Sequence, residues 1–501
     1  MFDAIRAAEK HRDAPFIVTE AGRTWTYGDL LDFSGKLAHR LIDLGVTPGD
    51  RVAVQVEKSP EALMLYVACL RAGAVYLPLN TGYTLNELAY FIGDAEPRLV
   101  IVAPKAEAAI TPLAEEHGGR VATLDETGGG SLLSGLVAEV EFTDVERGPD
   151  DLAAILYTSG TTGRSKGAML SHDNLLSNAR TLIAHWQFSA SDRLIHALPI
   201  FHTHGLFVAT NVTMLSGASM DFLPKFDPAR IMSLMDSATC LMGVPTFYTR
   251  LLQEDGLTRE KTANIRLFIS GSAPLLADTH REFVQRTGKA ILERYGMTET
   301  NMNTSNPYDG ERIAGTVGHP LPGVSVRICD PETGAELAND EIGMIEVKGP
   351  NVFKGYWRMA EKTEAEFRAD GYFITGDLGK IDPKGYVHIV GRGKDLVISG
   401  GYNVYPKEIE TEIDQIAGVM ESAVIGVPHP DFGEGVTAIV VRSGDNSVSE
   451  GDIMTALNEK LARYKQPKSV HFVADLPRNT MGKVQKNVLR QTYNTIYQNR
   501  A

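Results

Sequence analysis

The segment Tyr157–Gly167 combines glycines, hydroxyl side chains and two cations, Arg164 and Lys166. It follows the apolar run 152–156, so the pattern predicts a strand that leads into a flexible loop. Small residues let backbone N–H groups close around an anion, and the hydroxyls and cations supply further donors. Since the Gly-Lys-Ser/Thr ending of a Walker A loop is absent from the segment, we expect a polyphosphate cradle of another type. A solvated connector is the alternative. The residues expected to form the cradle are Thr158, Ser159, Gly160, Thr161, Thr162, Gly163 and Lys166.

A second segment, 295–300, reads Tyr-Gly-Met-Thr-Glu-Thr and places Glu299 between two hydroxyl side chains. Mg²⁺ takes one or two protein oxygens and fills its other positions with phosphates and water, so Glu299 is a candidate magnesium ligand. A turn or helix cap with a surface glutamate is the alternative. Upstream, residues 270–274 follow a predicted strand and could bring backbone close to a flat ring. Tyr295 could cover the other face of that ring, with ordinary core packing as the alternative.

Three charged residues further along the chain are candidate site residues, but the sequence patterns around them are less specific. Asp377 ends a predicted strand, where a carboxylate is well placed to accept both hydroxyls of a ribose; a turn or capping role is the alternative. Arg392 could contact a nucleotide or form a surface salt bridge. Lys483 follows Gly482 and, from these residues alone, is an exposed surface lysine.

The elements that would position these residues are of two kinds. A helical stretch at 61–70 alternates with short apolar strands at 74–78 and 98–102, a pattern typical of βαβ units with a mainly parallel sheet. After the glycine-rich stretch 391–401, short strands and amphipathic helices mix over about a hundred residues. The prediction is therefore α/β: a large N-terminal domain, 1–393, with mainly parallel sheets packed by helices, and a small mobile α+β C-terminal domain, 394–501.

Composition excludes several classes of protein. The chain has 501 residues, 63 acidic against 49 basic side chains and a net charge of −14, which argues against binding to nucleic acid. Its three cysteines are far apart in sequence, so neither a disulfide framework nor a thiolate metal site is expected. No export signal is visible, and the longest apolar stretches are about half a membrane span. We expect a cytoplasmic protein with no membrane span.

Taken in order, these segments resemble those of the adenylate-forming superfamily, which contains acyl- and aryl-CoA synthetases, peptide-synthetase adenylation domains and firefly-type luciferases. The likeness extends over nearly the whole chain. The segments that carry it are 70–78, 157–167, 295–299, 375–377, 391–392 with 400–401 and 406–410, and 482–483.

The resemblance implies a two-step ligase. A substrate carboxylate attacks the α-phosphate of ATP to give an acyl adenylate and pyrophosphate, and the thiol of CoA then displaces AMP. Catalytic roles are implied for Lys483, Glu299 and His204, and Mg²⁺ is implied at Glu299 and Thr158. Besides the cradle, the implied ATP contacts are Ser272, Ala273, Pro274, Tyr295, Gly296, Thr298, Asp377 and Arg392. The implied hinge is Lys394, and the implied tunnel for CoA is formed by Gly400 and Gly401.

Arg250 is the residue that indicates which carboxylic acid is the substrate. A fatty-acyl pocket would not place an unpaired guanidinium beside a hydrocarbon tail, whereas the second carboxylate of a diacid could be held by two parallel hydrogen bonds. A surface arginine paired with Glu254 is the alternative. Segments 243–250, 270–273 and 293–304 are similar to those of malonyl-CoA synthetases, which implies malonate as the substrate and methylmalonate as a second acid. The residues implied around the substrate carboxylate are Arg250, Ser272, His204, Met297 and Met302.

Other functions stay open at this point. The chain could activate another short-chain or aryl acid, or it could load a carrier protein. From a different class, it could be a P-loop NTPase or a non-catalytic nucleotide sensor. A further expectation concerns control, because acetylation of Lys483 by a lysine acetyltransferase would remove its charge and silence adenylation.

Overall fold

The computed structural model describes residues 1–6, 10–138, 141–158, 165–399, 402–444, 448–458, 460–479 and 482–497. Its strands, in chain order, are β1 Pro15–Thr19, β2 Thr24–Thr26, β3 Arg51–Gln55, β4 Val75–Pro78, β5 Leu99–Val102, β6 Arg120–Thr123, β7 Leu152–Thr158, β8 Lys166–Ser171, β9 Arg193–His196, β10 Ser219–Phe222, β11 Cys240–Gly243, β12 Leu267–Ser270, β13 Ile291–Met297, β14 Asn301–Ser305, β15 His319–Pro320, β16 Ser325–Cys329, β17 Gly343–Lys348, β18 Phe373–Ile381, β19 Val387–Arg392, β20 Val397–Ser399, β21 Tyr402–Val404, β22 Val419–His429, β23 Gly433–Arg442 and β24 Ser469–Val473.

The α-helices, in the same order, are α1 Phe2–Arg6, α2 Tyr27–Asp43, α3 Pro60–Arg71, α4 Leu85–Ala95, α5 Glu107–Glu116, α6 His172–His185, α7 Asn211–Ser216, α8 Pro228–Leu234, α9 Pro245–Leu251, α10 Ala277–Thr287, α11 Ala360–Ala365, α12 Pro406–Asp414, α13 Glu450–Asn458 and α14 Lys486–Tyr493. Local signals set several of these boundaries. At α3, for example, Ser59 accepts a hydrogen bond from the backbone of Ala62, and Pro60 occupies the first turn, where its missing N–H costs nothing.

Two sheets with mainly parallel strands build the N-terminal part of the described chain. One has the order β6-β5-β3-β4-β7-β8, and the other has the order β15-β14-β13-β12-β11-β9-β10-β1-β2. Strands such as β5 and β11 are buried along their whole length, as expected where helices cover both faces of a parallel sheet. The antiparallel pairs β7–β8 and β13–β14 lie at the two segments that the sequence singled out for nucleotide binding.

Two further sheets follow in the chain. Strands β16 to β19 form an antiparallel sheet, and β20 to β24 form a mixed sheet, in which β24 runs parallel to β23, that packs with α12, α13 and α14. This last sheet has its own apolar clusters, which include Ile409 and Ile413 of α12. The predicted fold class is confirmed; the boundary at 393/394 and the mobility of the C-terminal part stay predictions.

A search of the described residues finds no helix with both the length and the apolar character needed to cross a membrane.

A buried carboxylate ties together the starts of three central strands. Asp192 precedes β9 and accepts hydrogen bonds from Nε and Nη2 of Arg266, which precedes β12, at 2.7 and 2.9 Å. The hydroxyl of Thr239, which precedes β11, donates to it at 2.8 Å, and the backbone of Ser189 donates at 2.9 Å. Burial alone would raise the pKa of Asp192, but these donors and the charge of Arg266 hold it below its usual value.

We predict that Arg266→Met lowers the free energy of unfolding by about 3 kcal/mol at neutral pH, because it leaves a buried carboxylate without its charged partner. Since the pKa of Asp192 is lowered in the folded state, its contribution is present above the ordinary carboxyl pKa and is lost as the pH falls through the lowered value. The difference between wild type and variant should therefore shrink in acid. Urea unfolding over a pH series measures it.

Arg281→Met is the matched control, since Arg281 pairs with Asp278 at the surface of α10 and should cost little. A loss for Arg266→Met no larger than that of the control would contradict the assignment.

Candidate active site

Asp377 is held from two sides. The hydroxyl of Tyr295 donates to its Oδ2 at 2.6 Å, and Nε of Arg392 lies 2.8 Å from its Oδ1. The expectation that Asp377 ends a strand is wrong: β18 runs on to Ile381 because its pairing with β19 continues, with Asp377 directly opposite Arg392. Arg392 therefore pairs inside the site and not at the surface. The carboxylate is oriented by neighbouring strands before any ribose arrives.

Tyr295 and Gly296 lie side by side in β13. Burial and the neighbouring Asp377 raise the pKa of Tyr295, so its phenol keeps the proton that it donates. At Gly296 a Cβ would lie 1.8 Å from the carbonyl oxygen of Asn301. Only glycine allows this approach of β14 to β13, so the structural reason for Gly296 is strand packing. Thr298 follows in the turn between these two strands.

The segment after β12 adopts an unusual backbone. Ser272 has a φ of +72°, a left-handed conformation that non-glycine residues adopt at a cost of about 1–3 kcal/mol and that concentrates at functional sites. Its Oγ lies 3.2 Å from Nδ1 of His204. Ala273 and Pro274 continue this turn beyond the carboxyl end of the strand, as the sequence predicted.

His204 begins a π-helical segment, His204–Thr210, of a kind that often occurs at functional sites. The side chain is buried, and its Nε2 has no hydrogen-bond partner in the described structure. Burial, and secondarily the charge of Arg294, lower its pKa well below the usual value, so the imidazole is neutral. A neutral histidine beside Ser272 orients groups by hydrogen bonding and contributes no charge.

Arg294 was missed by sequence reasoning. Its guanidinium lies against Gly271, where a Cβ would come within 2.5 Å of Nη1. The side chain is 4% exposed, and Nε and Nη2 have no hydrogen-bond partner among the described residues. Burial lowers its pKa to about 9. A cation inside a strand otherwise rich in apolar residues was the signal that could have drawn attention to it.

Glu299 is buried, and burial raises the pKa of its carboxyl group. The hydroxyl of Tyr356 lies 3.0 Å from its Oε1. The described residues contain no cluster of three or more acidic, histidine or cysteine side chains that could enclose a metal. One carboxylate fits Mg²⁺ that receives its other ligands from phosphates and water, which is how this ion is usually held at nucleotides.

The two ends of the proposed phosphate cradle face each other. Thr158 closes β7 and pairs in register with Lys166, which opens β8. Nζ of Lys166 lies 3.1 Å from Glu366. The residues between them that were assigned to the cradle, Ser159, Gly160, Thr161, Thr162 and Gly163, lie outside the described residues.

Lys483 meets these groups from the other part of the chain. Its backbone N–H donates to Asn479, and a Cβ on the preceding Gly482 would lie 3.6 Å from Oγ1 of Thr246 in α9. Lys483 is exposed to solvent, yet desolvation by the surrounding protein and the charge of Arg392 lower its pKa, whereas Asp377, Asp395 and Glu299 raise it. These three carboxylates are therefore near enough to act electrostatically on the ammonium, although they are distant from it in sequence.

The remaining assigned residues are spread around this centre. Lys394 lies in the short helical turn after β19, and burial together with Arg392 lowers its pKa to about 8. Arg250 is exposed on α9, with its guanidinium 5.9 Å from the ring of Phe226. Met302 is buried against Gly296, and Met297 is half-buried in β13. Gly400 and Gly401 lie outside the described residues.

These groups bring several cations close to two carboxylates, those of Asp377 and Glu299. An arrangement of this kind can hold a polyphosphate and a ribose while it presents an ammonium to the reacting phosphorus. Residues 5–357 match the AMP-binding enzyme family, and residues 408–483 match the AMP-binding enzyme C-terminal domain. The chain belongs to the AMP-binding enzyme family.

Curated members of this family resemble the chain over most of their length. A feruloyl-CoA synthase from Amycolatopsis sp is 36% identical over 486 residues, which is 95% of each chain. A malonate–CoA ligase from Arabidopsis thaliana is 33% identical and covers 94% of this chain and 85% of the relative. The resemblance predicted from sequence is thereby confirmed: the chain is a CoA ligase of the adenylate-forming type.

Solved structures agree with this family assignment. The crystal structure of ATP-bound MatB from Rhodopseudomonas palustris is 63% identical, and it superposes with a TM-score of 0.96 over 99% of both chains. The apo form of the same MatB superposes with a TM-score of 0.85. The conformation of this AMP-binding enzyme is therefore nearer to that of the ATP-bound form.

We predict that Lys483→Met lowers ATP–pyrophosphate exchange by about 10²–10³, because it removes one preorganised positive charge at the reacting phosphate. Lys460→Met, at an exposed lysine that pairs with Glu412, is the control and should leave exchange unchanged. Exchange in the Lys483 variant within tenfold of wild type would rule out the role.

Proposed function

We propose that this AMP-binding enzyme is an ATP-dependent malonate–CoA ligase, which converts malonate, ATP and CoA to malonyl-CoA, AMP and pyrophosphate through a malonyl adenylate. Methylmalonate is proposed as a second substrate. The observation that carries the proposal is the position of Arg250 relative to the turn that bears Lys483.

Arg250 lies four residues after Thr246 in α9, so the two side chains project from the same helix face, one turn apart. Helical side chains tilt towards the helix N-terminus, which directs Arg250 back towards Thr246. Thr246 is the residue that the Gly482–Lys483 turn approaches. A guanidinium one helical turn from the residue that the Gly482–Lys483 turn approaches suits an acid whose two carboxylates are separated by a single carbon.

The guanidinium of Arg250 is also available to a substrate. The alternative read from sequence was a surface pair with Glu254, but the described residues show no ion pair between these two side chains. Arg250 can therefore hold a distal carboxylate by two parallel hydrogen bonds, as arginine does more effectively than lysine. Ser272 and the neutral His204, 3.2 Å apart, are proposed to complete this end of the pocket, with Met297 and Met302 behind the short chain.

The relatives support the reaction but disagree about the acid. One acts on malonate and another is named for feruloyl-CoA, at 33% and 36% identity respectively. Overall identity at this level does not decide the substrate. The choice therefore depends on charged residues at the pocket, and a guanidinium there favours a diacid over an aromatic or fatty acid.

In the proposed first step the chain holds the malonate carboxylate in line with the α-phosphate of ATP. The cradle around Thr158 and Lys166 binds the triphosphate, Asp377 accepts the ribose hydroxyls, and Tyr295 covers the adenine. Lys483 then stabilises the charge that develops as the malonate oxygen bonds to the α-phosphorus and pyrophosphate leaves. Mg²⁺, held by Glu299 and Thr158, would neutralise phosphate charge when bound.

In the proposed second step the thiol of CoA attacks the acyl carbon, AMP leaves, and Lys483 is no longer needed. The part of the chain from 394 to 501 is proposed to turn about Lys394, which removes Lys483 and brings Gly400 and Gly401 to the pantetheine arm. Such domain motions commonly separate the half-reactions of an enzyme.

We predict that Arg250→Ala abolishes exchange with malonate, by at least about a hundredfold, because it leaves the distal carboxylate without its partner. Exchange with propionate, which lacks that carboxylate, should be low and unchanged. The measurement is ATP–pyrophosphate exchange with a panel of malonate, methylmalonate, propionate, benzoate and ferulate, followed by mass spectrometry of the CoA product.

Arg281→Ala, at the exposed arginine of α10, is the control and should behave as wild type. Wild-type exchange that is strongest with a monocarboxylic acid, or malonate exchange unaffected by Arg250→Ala, would contradict the proposed substrate. Loading of a carrier protein without formation of free malonyl-CoA would contradict the proposed thiol.

We also predict that acetylation of Lys483 silences adenylation, since the acetyl group removes the charge. Protein carrying acetyl-lysine at 483 should lose exchange as fully as Lys483→Met, and deacetylation should restore it. Full exchange by the acetylated protein would exclude this form of control and the acetyltransferase partner with it.

A further inference from the structure

One loop joins the phosphate cradle to the proposed magnesium residue. The backbone N–H of Phe353 donates to the carbonyl of Glu299 at 2.7 Å. On the other side, Lys354, Gly355 and Trp357 exchange backbone hydrogen bonds of 2.7–2.9 Å with residues 167–169 of β8, the strand that leaves the cradle. The loop 353–357 therefore spans the distance between the two phosphate-binding elements.

Side chains make a second connection along the same line. Tyr356 is 2% exposed, and its hydroxyl lies 3.0 Å from Oε1 of Glu299 and 2.7 Å from Oε2 of Glu366. The other oxygen of Glu366 lies 3.1 Å from Nζ of Lys166, which also sits 4.0 Å from the centre of the Tyr356 ring. A cation, a carboxylate, a phenol and a second carboxylate thus form one continuous chain.

The chemistry of each member limits what it can do. Burial, Glu299 and Glu366 all raise the pKa of Tyr356, so it stays a neutral phenol with one proton. That proton can be donated to only one of the two carboxylates at a time. Glu366 also accepts from Lys362 at 2.7 Å, and the lysines and the phenol outweigh burial and lower its pKa. Glu366 is therefore the ionised anchor on which Lys166 and Tyr356 both rest.

We propose that Tyr356 and Glu366 are positioning residues for MgATP: they set the distance and orientation of Lys166 relative to Glu299. The inference rests on the proposed phosphate and magnesium roles of those two residues. Neither Tyr356 nor Glu366 needs to touch the nucleotide. Outer partners of this kind typically change metal affinity or activity by about 10–100-fold when removed.

Two variants separate the contribution of the Tyr356 hydroxyl from that of the Glu366 charge. Tyr356→Phe keeps the ring beneath Lys166 and deletes only the hydroxyl, so it should raise the Mg²⁺ concentration for half-maximal exchange by about tenfold. Glu366→Gln keeps the shape and removes the charge that anchors Lys166, so it should raise KM for ATP by about tenfold at saturating Mg²⁺. KM for malonate should stay within twofold in both. Because the residues form one network, the two substitutions should not act independently. For each of the two quantities, the change in the double variant should be smaller than the product of the changes in the single variants.

Tyr386→Phe is the matched control. Tyr386 precedes β19 and is buried to a similar degree, and its hydroxyl donates to the carbonyl of Glu311 at 2.7 Å, outside this chain of contacts. It should lose a comparable hydrogen bond without any change in the Mg²⁺ or ATP dependence. Thermal unfolding of every variant shows whether a loss of stability accompanies the kinetic change.

Calorimetric titration with α,β-methylene-ATP, with and without Mg²⁺, measures how Mg²⁺ changes the affinity for the nucleotide. No carboxylic acid substrate is needed. It should show the Mg²⁺-dependent gain in affinity reduced about tenfold in Tyr356→Phe. If wild type exchanges with another acid and not malonate, the proposed function fails while this titration still tests the positioning role. A Mg²⁺ dependence and ATP affinity equal to wild type in both variants, or kinetic changes shared by Tyr386→Phe, would overturn the proposal.

Discussion

In the proposed mechanism, the rest of the active site depends on the position of one ammonium group, that of Lys483. Adenylation brings together two anions, and an extra positive charge must stand where they meet. The chain supplies that charge from a turn near its end, which lies against α9 at Thr246. Desolvation and Arg392 lower the pKa of this ammonium, and Asp377, Asp395 and Glu299 offset only part of that effect.

Other cations of the proposed site are also paired with carboxylates. Arg392 is neutralised by Asp377, and Lys166 by Glu366, so each cation is held by a carboxylate that also fixes its orientation. These pairs are oriented before the substrate binds, which spares the enzyme reorganisation during the reaction. Arg294 departs from the pattern, because its buried guanidinium has no carboxylate partner among the described residues. A buried charge of this kind is costly, and it makes the surroundings of His202 and His204 polar.

The fold serves this arrangement by bringing the ends of different sheets together. The cradle leaves the sheet that contains β7 and β8, Ser272 and Tyr295 come from the sheet that contains β12 and β13, and Asp377 and Arg392 come from the antiparallel sheet of β18 and β19. Within each sheet, backbone hydrogen bonds fix the register to a single residue, as in the direct pairing of Asp377 with Arg392. The backbone positions of the site residues on different sheets are therefore fixed relative to their own sheets, and their side chains have little conformational freedom.

Sequence by itself determined the class of fold, the family and most of the residues proposed to face the nucleotide, because these depend on local order: hydrophobic periodicity, turn residues and short contiguous segments around Tyr157, Tyr295 and Lys483. Only the tertiary structure placed Asp377 within a strand, left Arg250 without an ion pair among the described residues, buried Arg294 beside the histidines and joined Lys166 to Glu299 through Tyr356 and Glu366. Those features depend on contacts between residues far apart in the chain, and no local pattern encodes which distant side chain will fill a given space or neutralise a given charge.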